Sequence, residues 1–229
     1  MTRGLLVVRP EPGQSRTAAR LRAGGGDVLG WPLFAAAPVA WTAPDPGDFD
    51  ALLVTSANGV RLAGAELTRL AALPVIAVGA ESAAVARAAG LTVAVTGDGG
   101  VAEALIAAHA AGLARPLHLA GQEHIASGHP TLIVYASADV PTDAAAFAHA
   151  ARGRIVLLHS VRAARRVADL TGPARQDVAI AALSPTVQAA AGDGWALTAV
   201  APTPTDAALC ALALQRAIDP APGGGDKRA

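Results

Sequence analysis

The chain has 229 residues, 52% of them hydrophobic and only 3% aromatic, enough for one sizeable domain or two small ones with cores of Ala, Val and Leu. Lys+Arg and Asp+Glu balance at 18 each, which removes the electrostatic case for nucleic acid or an anionic membrane as partner. The lone Cys210 excludes an intrachain disulfide and a cysteine zinc knuckle, and no apolar run approaches the roughly eighteen residues of a membrane span, so a soluble, cytoplasmic protein is expected.

Taken in order, Gly4 to Val8 reads as a buried strand ending at Arg9-Pro10, Gln14 to Ala23 as a helix stopped by Gly24-Gly25-Gly26, and Val28 to Phe34 as a second strand. Ala35 to Asp48 is rich in Pro and Ala and reads as an extended crossover. A regular alternation follows: strand Asp50 to Thr55, helix Asn58 to Leu70, strand Pro74 to Val78, helix Ser82 to Ala89, strand Leu91 to Val95, helix Val101 to Ala111, and strands Leu117 to Leu119 and Thr131 to Ala136. Beyond them lie strand Ile155 to Leu158, helix Ala163 to Leu170, strand Val178 to Ala182, helix Pro185 to Ala191, strand Ala196 to Val200 and helix Asp206 to Ile218, then a tail from Pro220 too rich in Pro and Gly to pack. This rhythm predicts an α/β protein with doubly wound parallel sheets.

The pattern repeats. A shift of 104 residues lays Ser56 on Ser160, Ile76 on Ile180, Ser82 on Thr186, Gly90 on Gly194 and Leu105 on Leu209 without a gap, so two parts of the chain share one supersecondary plan. The units allow either two sequential lobes or two interleaved ones.

Chemistry is expected at the strand ends, where open α/β sheets bind ligands. Arg9, Thr55-Ser56-Ala57-Asn58, Glu81-Ser82, Gly121, Ser160, Arg162 and Ser184-Pro185-Thr186 are mostly hydroxyls, glycines or arginines just ahead of a helix. Helix N-termini bind anions, so several such ends suit a polyanion, although simple N-capping asks for the same residues. Neither Ser56 nor Ser160 stands in a G-x-S-x-G elbow, and no glycine cluster fits G-x-G-x-x-G or a phosphate loop. His118, His124 and His129 lack H-E-x-x-H spacing and cysteine partners and are expected on the surface or in loops, so neither metal nor cofactor is implied. Tyr135, the only tyrosine, ends the apolar run LIVY. A phenol keeps its proton at neutral pH and can donate it to a leaving hydroxyl, or merely pack as a hinge aromatic.

Several stretches, in this order, resemble the uroporphyrinogen-III synthase family: LLVVRP with GWPLF, DALLVTSANGVR, PVIAVGAESAAVARAAG, Val134-Tyr135, IAALSPTVQAAA with Gly194-Trp195, and APTPTDAAL. The resemblance implies two flavodoxin-like lobes joined by a two-stranded linker, one from 1–34 plus 142–229, the other from 38–138, with linkers at 35–37 and 139–141 and a flexible tail at 220–229. It also implies a monomer that closes the linear tetrapyrrole hydroxymethylbilane, an octacarboxylate, with inversion of the last pyrrole ring and loss of water, without metal or cofactor. By similarity Tyr135 matches the tyrosine proposed to assist hydroxyl departure, and Thr55, Ser56, Ser82 and Thr186 match substrate-contacting hydroxyls.

Two departures stand out. The family's second rim usually reads Thr-Ser-Pro-Ser, whereas His159-Ser160-Val161-Arg162 stands here, with Arg162 a replacement carboxylate partner. Between Gly121 and Thr131, where the family has a full helix, only QEHIASGHP is present. These changes leave open a second reading, a catalytically degenerate anion-binding or tetrapyrrole-binding protein.

Overall fold

In the computed structural model, which describes residues 2–98 and 100–218, the chain divides into two compact units. One is formed by residues up to Ala35 and from Asp139 onward, the other by Ala36–Ala138. The predicted tail lies outside the described residues.

The chain opens with β1 (Leu5–Val7), α1 (Gly13–Ala23) and β2 (Val28–Gly30), then β3 (Phe34–Pro38) leads into the second unit. That unit runs β4 (Ala51–Val54), α2 (Asn58–Arg61), β5 (Val75–Ala77), α3 (Ala80–Ala88), β6 (Val93–Thr96), α4 (Val101–Ala110), β7 (Pro116–Gly121) and β8 (Thr131–Asp139). The first unit then resumes with α5 (Ala144–Ala151), β9 (Ile155–Leu158), α6 (Val161–Thr171), β10 (Ala179–Ala182), α7 (Pro185–Ala191), β11 (Leu197–Val200) and α8 (Asp206–Ile218).

The first unit's sheet has the order β11-β10-β9-β1-β2, and its adjacent pairs run parallel. The second has the order β3-β8-β7-β4-β5-β6, with parallel pairing from β8 through β6. Helices on both faces explain why β4, β9 and β10 are apolar at every position and fully buried, whereas β6 and β11, at the edges, are half exposed. Leu6, Val156 and Ile180 pack on one side of the first sheet, Leu5, Ile155 and Leu157 on the other. In the second unit Leu52, Val54 and Leu119 face α3, while Ala51, Leu53 and Ile76 face Ala104 and Ala108 of α4. Each fully buried leucine contributes about 1.5–3 kcal/mol.

Four sequence expectations change. The helix expected over Asn58 to Leu70 is one turn, α2, followed by a 3-10 segment Ala65–Leu70, because Gly64 at φ +69° breaks the run. The strand expected over Val28 to Phe34 ends at Gly30. Phe34 instead starts β3, so the first part of the predicted crossover is a strand paired with β8. Helix α5 was not foreseen; Asp143 caps it by accepting from the Ala146 amide at 2.9 Å.

In each unit the strand order reverses at one place: between β1 and β9 in the first, between β4 and β7 in the second. Such switch points open a crevice at the strands' carboxyl ends, where ligands of α/β sheets bind.

Candidate functional site

At the second unit's switch point, Thr55 follows β4 and lies half-buried. Its Oγ1 is 3.0 Å from Nε2 of His118. His118 pairs in register with Leu53 on β4, and strand alternation puts it on the same face as Thr55. The expectation of a surface or loop histidine fails here: His118 is a strand residue with no exposed surface. Burial first, then the nearness of His124 and His129, pushes its pKa down from 6.5 to about 4, so the ring is neutral at physiological pH. Its Nδ1 is buried and has no partner among the described residues. The His124 ring meets it edge-to-face at 5.5 Å and is anchored by a 2.9 Å hydrogen bond from its own Nδ1 to the Gly121 carbonyl. Residues 122–130, between β7 and β8, form no helix, and they bring His124 back against His118 and the Gly121 carbonyl.

Tyr135 lies at the same edge but on the other face, packed against the cluster that holds Val54 and Leu119. It pairs with Gly121, where the register of β7 and β8 shifts. A Cβ on Gly121 would lie 2.5 Å from the Tyr135 Cζ and 2.9 Å from its hydroxyl oxygen, so only glycine leaves room for the ring. Among the described residues nothing hydrogen-bonds the Tyr135 hydroxyl. Ser56 Oγ accepts from the Asn58 amide at 3.3 Å, forming the turn into α2. Asn58 itself starts that helix, and Ser82 is buried within the first turns of α3.

The first unit's switch point is built differently. Arg9 follows β1, His159 follows β9, and both reach Asp206, the first residue of α8. The Asp206 carboxylate accepts from Thr17 at 2.6 Å, from His159 Nε2 at 2.9 Å and from Arg9 at 3.3 Å, and it also pairs with Arg20. Burial alone would raise its pKa, but the hydrogen bonds from Thr17 and His159 and the charge of Arg20 outweigh burial and hold it below the ordinary value. His159 is lowered by burial, against which its bond to Asp206 works. Arg9, expected as a substrate contact, is thus already paired within its own unit.

Ser160 and Ser184 cap α6 and α7, accepting from Ala163 N at 3.1 Å and Val187 N at 3.4 Å, and Thr186 is exposed in the first turn of α7. Arg162 stacks on the Phe34 ring at 4.4 Å and shares Asp139 with Arg166. A shallow groove runs beside them past Arg165 and Asp169.

The family model described as "Uroporphyrinogen-III synthase HemD" matches residues 15–211. The chain belongs to the uroporphyrinogen-III synthase family. Among solved structures, the uroporphyrinogen-III synthetase of Helicobacter pylori 26695 is 17% identical and aligns over 93% of this chain and 99% of its own, with a TM-score of 0.53. A Thermus thermophilus uroporphyrinogen III synthase is also 17% identical, over 94% and 100%, with a TM-score of 0.42. No curated protein sequence matches the chain. The Helicobacter likeness supports the α/β fold of the synthase family.

Among the described residues no three His, Cys, Asp or Glu side chains come together to hold a metal ion, and no helix is long and apolar enough to cross a membrane. Cys210 is buried in α8, and burial lifts its thiol to about 11, which leaves it a packing residue rather than a nucleophile. Sequence reasoning missed Thr17, Arg20 and His118 as parts of the two switch points. The alternation Leu117-His118-Leu119 carried the only signal for His118, since a histidine between two core leucines of a doubly covered strand must itself be buried.

Proposed function

We propose that this protein is a uroporphyrinogen-III synthase, converting hydroxymethylbilane to uroporphyrinogen III with inversion of the last pyrrole ring and net loss of one water. The observation that carries the reading is the Tyr135 hydroxyl, unpartnered among the described residues and fixed over Gly121 at the carboxyl edge of a synthase-family sheet. A hydroxymethylpyrrole expels its hydroxyl readily, so the enzyme's work is to hold the chain folded with the substituted pyrrole carbon nearest the forming bond, which is catalysis by orientation. Tyr135 gives its phenolic proton to the departing hydroxyl, which leaves as water, and the proton released from the pyrrole α-carbon as the ring closes and regains aromaticity restores the phenol. Thr55, Ser56, Asn58, Ser82 and Gly121 line or approach the edge that takes substrate carboxylates, and Ser160, Ser184 and Thr186 offer hydroxyls and helix amides of the same kind. Arg9 and Arg162 act mainly through the internal pairs they form with Asp206 and Asp139.

The test is isomer analysis. Hydroxymethylbilane generated in situ is mixed with the protein, the product oxidised and the porphyrin isomers separated. Type III product is expected; only the spontaneous type I isomer would sink the proposal and leave a tetrapyrrole-binding protein. Tyr135→Phe is expected to slow type III formation about 10- to 100-fold with an unchanged melting temperature, and an unchanged rate would reduce Tyr135 to packing.

A further inference from the structure

His118 has no role in the mechanism above, yet it is a buried polar side chain touching one of the proposed contacts. Its Nε2 lies 3.0 Å from Thr55 Oγ1, and its Nδ1 is enclosed without a partner among the described residues. A neutral imidazole carries one proton, on either nitrogen. On Nδ1 it would be an orphaned buried N–H, which native structures avoid more strictly than an unused lone pair. On Nε2 it can be given to Thr55. The second placement satisfies the only hydrogen bond available to the ring, and it determines what Thr55 does. With its oxygen accepting from His118, the threonine hydroxyl has its own proton left to donate away from the sheet.

We infer that His118 is a positioning residue that sets Thr55 as a hydrogen-bond donor toward a substrate carboxylate. The opposite tautomer would make Thr55 donate inward and present lone pairs to an anion, so the histidine fixes the polarity of the contact as well as its direction. The inference rests on the reading of Thr55 as a carboxylate contact of a tetrapyrrole synthase. His124, held to the Gly121 carbonyl and edge-to-face with His118, belongs to the same arrangement. It comes from the non-helical segment 122–130 that joins β7 to β8, and that segment places a second imidazole beside the first.

Two measurements test it. Nitrogen-15 NMR of the histidine-labelled wild-type protein at pH 7 reads the tautomer directly and depends on neither variants nor activity. An Nε2–H resonance for His118 is expected, and an Nδ1–H tautomer overturns the inference even if the protein makes type III product. In the second, His118→Leu and Thr55→Val are each expected to raise KM for hydroxymethylbilane about five- to tenfold with kcat within about twofold. The double variant should be no worse than either single one, and His118→Gln, whose amide reaches the Nε2 position, should return KM to within about twofold of wild type. Additive losses, or failure of a folded His118→Gln protein to recover, overturn the positioning role. Absence of type III product from the wild type would instead remove the synthase reading and this inference with it.

Discussion

The two switch points are one fold feature used twice and finished in opposite ways. In the first unit the crevice between β1 and β9 is closed by the protein's own carboxylate, Asp206, on which Thr17, His159, Arg9 and Arg20 converge. In the second, the crevice between β4 and β7 carries a hydroxyl, Thr55, backed by a neutral imidazole and, among the described residues, by no internal carboxylate. The 104-residue shift lays Thr55 on His159, so the same strand end supplies an open hydroxyl in one copy and an internally paired ring in the other. A duplicated rim therefore need not be a duplicated site. A carboxylate supplied in cis stabilises the rim but occupies the donors that a ligand would need.

Removing Asp206 should break the contrast most severely. Asp206→Ala leaves Thr17 and His159 without their acceptor and two guanidiniums near each other without a counter-charge. Because Arg20 and Arg9 keep part of their exposure, the expected loss is about 2–4 kcal/mol in urea denaturation. The matched change in the second unit, Thr55→Val, removes a single hydrogen bond but leaves the buried His118 Nε2 unpaired, and should cost about 1–2 kcal/mol. Equal losses would mean that the first network is not the internal clasp its geometry describes.

Acid should separate the two histidines. Both have folded-state pKa values below the unfolded value, so each contributes stability that is fully present above about pH 6.5 and is lost as pH falls toward the folded value. For His118, lowered to about 4, the loss between those limits is of the order of 3 kcal/mol. His159 gains back part of its burial penalty from Asp206, so it should contribute less. Stability measured between pH 7 and pH 4 should fall less steeply in His118→Leu than in the wild type, and His159→Leu should flatten the slope to a smaller extent. The Asp206 contribution lies lower, fading as pH drops below about 4 through its depressed value. A slope unchanged in His118→Leu would show that its ring is not buried neutral.

Gly121→Ala probes the second rim without removing a polar group. The added methyl would meet the Tyr135 ring at 2.5 Å, so the ring must move, at a cost of about 1–3 kcal/mol. Type III formation should fall with it, and a variant that melts early yet keeps the wild-type rate would show that the ring's placement over Gly121 does not matter to the reaction.

The parts of this design visible in the sequence are the local ones. Runs such as LLVV, ALLV and IVLL announce doubly covered strands because every position is apolar, and the 104-residue repeat exposes the shared plan. What stayed hidden depends on partners far along the chain. Pairing of β3 with β8 joins segments about a hundred residues apart, and nothing in a Pro- and Ala-rich stretch marks it as a strand. Arg9 and Arg162 looked like free cations because their carboxylates, Asp206 and Asp139, lie in other segments. His118 sits in sequence beside His124 and His129, but its decisive contact is Thr55, at the end of another strand.

The smallest expected effect decides between capping and contact at the first rim. Ser160 accepts from the Ala163 amide at 3.1 Å, the geometry of an N-cap. If that is its whole role, Ser160→Ala should cost about 1 kcal/mol and Ser160→Gly only a few tenths, because glycine tolerates the cap position and lets water reach the free amides. The rate of type III formation should then be the same in both variants and equal to that of the wild type. A hydroxyl that also binds substrate gives a different ordering: both variants lose the same contact, so both rates fall alike whatever the difference in stability. Stability that separates alanine from glycine with rates that do not change would leave the first rim structural at this position and assign carboxylate contacts to the second, where Thr55 keeps its proton free to give.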